Sequence, residues 1–229
     1  MALRIVECRS PNCDARDAPI DMLVLHYTGM KTAEEALARL CDPAAKVSAH
    51  YTIDRDGRVY AHVPEEMRAW HAGVSYWAGT RNVNARSIGI EIVNPGHEFG
   101  YVPFADAQIA ALIDLADGIF ARHKIPPARV VGHSDVAPAR KEDPGELFPW
   151  KPLAEFGIGV WPEASVLVEP FEAALARFGY GVPPQVDVPM DAVIRAFQRR
   201  FRPDAITGEW DAGCAAQLAG LLESALLAD

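Results

Sequence analysis

The chain has 229 residues, 50% of them apolar, enough to bury one large core with a smaller unit beside it. A formal net charge of −9 speaks against the clustered cations that phosphate backbones require, so no nucleic-acid partner is expected. No stretch approaches the roughly 20 apolar residues that span a bilayer, so no membrane insertion is expected either.

The opening MALRIVECRSPNCDARD lacks the apolar centre of an export signal, which predicts a cytoplasmic setting. A periplasmic setting is the alternative, should a leader precede this sequence. Cys8, Cys13, Cys41 and Cys214 match no metal-finger spacing. Cys8 and Cys13 are near enough to pair or share a metal, whereas scattered thiols in a cytosolic protein need neither.

In chain order, PIDMLVLHYTG (19–29) is a short apolar run stopped by polar residues and Gly29, which predicts a buried strand. TAEEALARLCD opens with Thr32 and Glu35 in capping-box spacing, and Leu37, Leu40 and Cys41 make an apolar stripe, which predicts a helix. In SAHYTIDRDGRVYAHV, Asp56-Gly57 stands between two alternating runs and predicts a hairpin. RSIGIEIVNPG reads as a strand with Ile88, Ile90 and Ile92 on one face and Gly89 and Glu91 on the other. FADAQIAALIDLADGIFARHKI carries Ile109, Leu112, Ile113, Ala116 and either Ile119 or Phe120 at helical spacing. ARVVGH predicts a brief strand ending at His133.

From Pro144 onward the texture changes, with Pro149, Pro152 and Pro162 close behind, as in a linker or a wrapping segment. VEPFEAALARFGY, MDAVIRAFQRRF and EWDAGCAAQLAGLLESALL then predict three short helices. The 7 histidines all lie at or before position 133, so the chemistry belongs to the first part. The division expected is 1–150, a Pro/Gly-rich linker at 151–165, and a helical domain at 166–229.

His26, His133 and Asp143 are the candidate metal ligands. Two neutral imidazoles and a carboxylate are what a catalytic zinc takes, leaving a position for water. A histidine at the end of an apolar strand is also a common core residue, and spacing does not separate the two. Glu91 is the candidate general base, with a solvent-facing glutamate as the plainer reading. Lys141 is placed to stabilise an oxyanion and Arg140 to meet a substrate carboxylate, although a solvated basic pair looks the same in sequence. RAWHAGVSYWAG crowds Trp70, His71, Tyr76 and Trp77 into a loop, either to stack on sugars or to plug the core.

Five motifs, LHYTG, SAHYTID, AWHAG, SIGIEIVN and GHSDVAPARKEDPG, occur in an order that resembles the zinc-dependent N-acetylmuramoyl-L-alanine amidases of the type-2 amidase family. Peptidoglycan recognition proteins belong to the same superfamily. The tail AFQRRFRPDAITGEWDAGCAAQLAGLL resembles a small three-helix peptidoglycan-binding module, as in two-domain amidases of Gram-negative bacteria.

The resemblance implies an α/β fold, a mixed β-sheet flanked by helices, with a small C-terminal three-helix domain. It implies Zn2+ held by His26, His133 and Asp143, Glu91 as base, and Lys141 at the tetrahedral intermediate. Trp70, His71, Asn94 and Arg140 would line the groove for sugar and peptide. Ala49 stands where some relatives carry tyrosine, which leaves the base role to Glu91 alone. The implied substrate is peptidoglycan or its soluble muropeptide fragments, 1,6-anhydro forms included. A non-catalytic muropeptide-recognition protein is the alternative, and the intact ligand set speaks against it. A hydrolase of other amides reusing the fold is a third reading.

Overall fold

The computed structural model describes residues 3–166 and 170–226. The first half runs β1 (Ile5–Glu7), β2 (Cys13–Ala15), β3 (Met22–Tyr27), α1 (Ala33–Cys41), β4 (Tyr51–Ile53), β5 (Val59–Ala61) and β6 (Met67–Ala69). Then come α2 (Val83–Arg86), β7 (Ser87–Ile92), α3 (Gly96–Phe99), α4 (Asp106–Arg122), β8 (Val130–Gly132) and α5 (His133–Val136). Four more helices follow: α6 (Trp150–Ala154), α7 (Phe171–Phe178), α8 (Met190–Phe201) and α9 (Ala212–Leu226).

Six strands form a mixed sheet in the order β1-β5-β4-β7-β3-β8, and β2 pairs with β6 in a separate ladder. The centre is parallel: β7 lies beside β4 and β3, and β3 beside β8. Helices cover both faces of that centre, which is why β3 reads as a continuous apolar run and not as an alternating one. Its register sets His26 opposite Glu91, and Glu91 opposite Thr52 of β4.

Alternation then sorts the side chains. Leu23, Leu25, Ile88, Ile90, Ile92 and Val130 share a core with Leu112, Leu115, Ala116 and Ile119 of α4 and with Trp150 and Leu153 of α6. Met22, Val24 and Val131 belong to a second core, completed by Trp77 and by Leu175, Phe178, Tyr180, Phe197 and Phe201 of the helical tail. Nothing in this second core separates the tail from the part before it.

Several local expectations shift. The buried face of α4 is Gln108, Ala111, Leu112, Leu115, Ala116 and Ile119, while Ile109 and Ile113 are only partly covered. Gln108 is drawn in because its amide donates to the carbonyls of Ile53, the last residue of β4, and Val93, just past β7. The strand expected to end at His133 stops at Gly132, and His133 opens the turn of α5. The proline-rich stretch wraps the sheet, since Phe148, Trp150, Leu153 and Ile158 are core residues. Cys8 meets Cys41, not Cys13, which lies on β2 opposite Ala69.

Candidate metal centre

His26 lies next to the end of β3 and His133 one residue past the end of β8, so both project from the carboxyl ends of parallel strands, where open α/β sheets bind ligands. Asp143 returns to the same place on the loop after α5, fixed in part by the bond from Ser134 N to its backbone carbonyl (2.9 Å). Three side-chain atoms converge there. His26 Nδ1 and His133 Nδ1 are 3.0 Å apart, and Asp143 Oδ2 is 2.9 Å from the first and 3.1 Å from the second. All three residues are buried.

The surrounding hydrogen bonds assign the tautomers. Ser87 Oγ donates to the Val83 carbonyl (2.7 Å), so it accepts from His71 Nε2 (3.2 Å). His71 Nδ1 then accepts from His26 Nε2 (3.0 Å), which leaves a lone pair on His26 Nδ1. On the other side His133 Nε2 donates to the Ala72 carbonyl (3.1 Å), leaving a lone pair on His133 Nδ1. Two imidazole lone pairs and a carboxylate oxygen thus face one another at about hydrogen-bond distance. Three acceptors so placed repel unless a cation sits among them, and this donor set fits zinc.

The electrostatics agree. Burial first, then the neighbouring His133, pulls His26 down to about 4. Burial opposes ionisation of Asp143, and its carboxyl falls well below the ordinary range only with a proton or positive charge on His133 and His26, the part a cation would play here. Glu91 behaves oppositely. Burial, and after it the Asp143 charge, raises it well above the usual carboxylate value, against the pull of Lys141. Its Oε2 is buried with no hydrogen-bond partner. Gly89 makes room beside it, because a Cβ there would meet the His71 ring at 2.5 Å.

A cleft of about 550 Å³ opens over this cluster, lined among others by Trp70, His71, Glu91, Arg140 and Lys141. Tyr27, Arg39 and Ser48 line it too, and no sequence motif singled them out for that purpose. One expected lining residue turns inward and another is already engaged. Asn94 is buried, donating to the Val102 carbonyl (2.7 Å) and accepting from Gly96 N (3.1 Å), so it shapes the turn after β7. His71 borders the cleft, but both its ring nitrogens are engaged, so it orients His26 and has none to offer a ligand. Arg140 donates to the carbonyls of Ala72 (3.2 Å) and Val74 (2.5 Å), bracing the aromatic loop against the metal loop. In that loop Tyr76 and Trp77 are buried, Trp77 edge-on to Tyr180 at 4.9 Å, so they plug the core.

Behind the centre lies a second polar cluster. Asp135, two residues after His133, accepts from Tyr180 Oη (2.6 Å), Arg200 Nη1 (2.8 Å) and its own loop's Gly132 N (2.8 Å). Arg200 also donates to the Val130 carbonyl (3.1 Å) and lies over the Trp150 ring at 4.0 Å. Arg199 reaches Glu142, between Lys141 and Asp143, at 3.1 Å. The adjoining arginines of FQRRF, set between two apolar residues that a helix turns toward the core, are the one sequence signal of this contact.

A family model described as N-acetylmuramoyl-L-alanine amidase matches residues 16–146. The chain is similar to N-acetylmuramoyl-L-alanine amidase AmiD of Escherichia coli, 42% identical across 89% of this chain and 83% of that protein. It is similar to 1,6-anhydro-N-acetylmuramyl-L-alanine amidase AmpD of Haemophilus influenzae, 35% identical across 64% of this chain and 90% of that protein. The solved complex of AmiD from E. coli with anhydro-N-acetylmuramic acid-L-Ala-D-gamma-Glu-L-Lys superposes with a TM-score of 0.80 at 40% identity, covering 92% of each chain. AmpDh3 from Pseudomonas aeruginosa in complex with anhydromuramic pentapeptide superposes with a TM-score of 0.82 at 37% identity, over 90% of this chain and 92% of that one.

Proposed function

The chain belongs to the N-acetylmuramoyl-L-alanine amidase family, enzymes that hydrolyse the amide between N-acetylmuramic acid and L-alanine, and from that premise we propose that it works with zinc on soluble muropeptides, 1,6-anhydro forms included. The observation that carries the zinc reading is the meeting of three acceptor atoms, His26 Nδ1, His133 Nδ1 and Asp143 Oδ2, within 3.1 Å of one another. These three would hold the ion. Bound there, zinc would polarise the scissile carbonyl and make a water acidic enough to ionise near neutral pH.

The remaining roles fall to the protein's own groups. Glu91, half-buried beside His26 with a buried, unpartnered Oε2, would take the proton of the attacking water and return it to the departing amide nitrogen. Lys141 would meet the negative charge that grows on the carbonyl oxygen. Trp70 offers a flat apolar wall for a sugar ring or a peptide methyl, and Arg140 a guanidinium near a stem-peptide carboxylate. The anhydromuramyl peptides in the AmiD and AmpDh3 complexes support this choice of substrate class.

We assign 1–150 to catalysis, 151–165 to the connection, and 166–229 to a peptidoglycan-binding-like part that stays fixed on the catalytic part through Asp135. A soluble substrate agrees with a cytoplasmic setting, the periplasm being the alternative. The test is mass spectrometry of products after incubation with an anhydro-muropeptide, with and without a chelator. Chelator-sensitive release of free stem peptide and intact muramyl sugar is expected. Unchanged muropeptide in the presence of folded, zinc-loaded protein would overturn the proposal.

A further inference from the structure

Away from the cleft, two thiols meet. Cys8 follows β1 and Cys41 ends α1, 33 positions later, yet their Sγ atoms lie 3.3 Å apart. The segments that carry them are tied together on either side. Ser10 Oγ donates to the Leu40 carbonyl (2.5 Å), and Asn12 Nδ2 donates to the carbonyls of Asp42 and Val47 (2.8 Å each). The pair is therefore held in contact by bonds that do not involve sulfur. Both cysteines are only partly buried, so a small reagent reaches them.

His62 stands close by, with Nδ1 3.8 Å from Cys41 Sγ, which raises the question of a metal site. Its ring answers it. Nδ1 lies 2.7 Å from the Cys8 carbonyl oxygen, to which it can only donate, and Nε2 then accepts from Thr52 Oγ1 (2.8 Å). No lone pair is left to point at the sulfurs. Two thiols alone fall short of the four ligands of a structural zinc.

We propose that Cys8 and Cys41 are a redox-sensitive pair that closes to a disulfide and staples the segment after β1 to the end of α1. Closure is an exchange with a small-molecule disulfide such as oxidised glutathione. One cysteine breaks the incoming S–S bond, forms a mixed disulfide and releases one thiol. The other then displaces the second thiol and forms the Cys8–Cys41 bond. The pair loses two electrons and two protons, which leave on the two released thiols. Burial, and after it the adjacent Cys8, pushes the Cys41 thiol up to about 12, which keeps it protonated at neutral pH and slows closure. The inner side of α1, through Ala36, Arg39 and Leu40, lines the cleft, so the staple also fixes one wall of the site.

The test treats full-length protein with oxidised or reduced glutathione, traps free thiols, and digests without reduction. The expected result is a peptide joining Cys8 to Cys41, and a melting temperature about 5–15 °C higher in the oxidised form. Cys8→Ser and Cys41→Ser should each abolish both, and Cys13→Ser neither. The crosslink and the shift are read on the wild-type protein, so they stand even if a serine variant folds poorly. Glutathione adducts on these cysteines without a crosslink would overturn the proposal. So would a second equivalent of zinc that Cys8→Ser removes.

Discussion

One short turn, α5, feeds two buried polar clusters of opposite character. His133 faces His26 and Asp143, while Asp135, two residues on, faces Arg200 and Tyr180. The second cluster is closed. A carboxylate meets a guanidinium and a phenol, the Asp135 and Arg200 side chains are 1% and 2% exposed, and their opposite charges cancel. The first is open to a cleft and unbalanced in charge, with acceptors facing acceptors and the Glu91 carboxyl close by. Burial costs both clusters, but only one compensates that cost internally. The lesson is that a buried polar cluster is read by its charge balance. The balanced one fastens the tail to the turn, and the unbalanced one has the donor set that fits a cation.

The largest expected effect comes from breaking the open cluster. Asp143→Ala should leave a folded protein without bound zinc and without measurable turnover, checked by metal analysis and product formation. Glu91→Gln separates binding from chemistry: zinc should stay while turnover falls by about 10²–10⁴-fold. A Glu91→Gln protein that runs at the wild-type rate would move the proton transfer to another group.

The closed cluster should respond in stability. Arg200→Ala leaves the Asp135 carboxylate buried without its cation and should cost about 3–5 kcal/mol in chemical denaturation. Pairing Arg200→Met with Asp135→Asn should recover part of that loss. An equal loss in the single and double variants would mean that the arginine acts through packing on Trp150, not through charge.

The smallest effect is a pH dependence of stability on the side of the open cluster. His50 packs edge-on to His71 at 5.8 Å, and burial, then Arg16, lowers it to about 3. Its folded value lies below the unfolded value of about 6.5, so the unfolded chain takes up the proton first as pH falls. Its contribution is whole above pH 6.5 and should shrink by about 2 kcal/mol between pH 7 and pH 5. Urea midpoints of zinc-free protein at the two pH values measure it. A matched His50→Gln variant should lose that part of the slope.

Much of the open cluster was legible in the sequence because its parts sit where local rules apply. His26 and His133 stand at the ends of apolar runs, Glu91 on the polar alternation of an isoleucine strand, and Thr32 and Asp56-Gly57 mark a helix start and a hairpin. The Arg200–Asp135 pair was not legible, since partners 65 positions apart leave no period to count. The inward bonds of Asn94 and of the His71 ring were hidden for a related reason. These residue types suit ligand binding and inward bonding equally well, and only the positions of the Val102 carbonyl and of Ser87 decide between them. Trp150 and Leu153 were hidden by the prolines around them, because a chain that lacks a regular element still wraps a core when its apolar residues fall on one side. Strands of three residues, such as β2 and β6, are too short to show alternation.

The register between β3 and β7 has a further consequence for how this protein can fail. His26 and Glu91 are direct partners on adjacent parallel strands, and a slip of one residue turns either side chain to the opposite face, into the apolar layer under α4. No intermediate arrangement holds the histidine half in place. A population of molecules would then divide into those with a whole site and those with none. Partial activity in a preparation would count correctly paired sheets, and metal retained per chain would serve as a census of native folding.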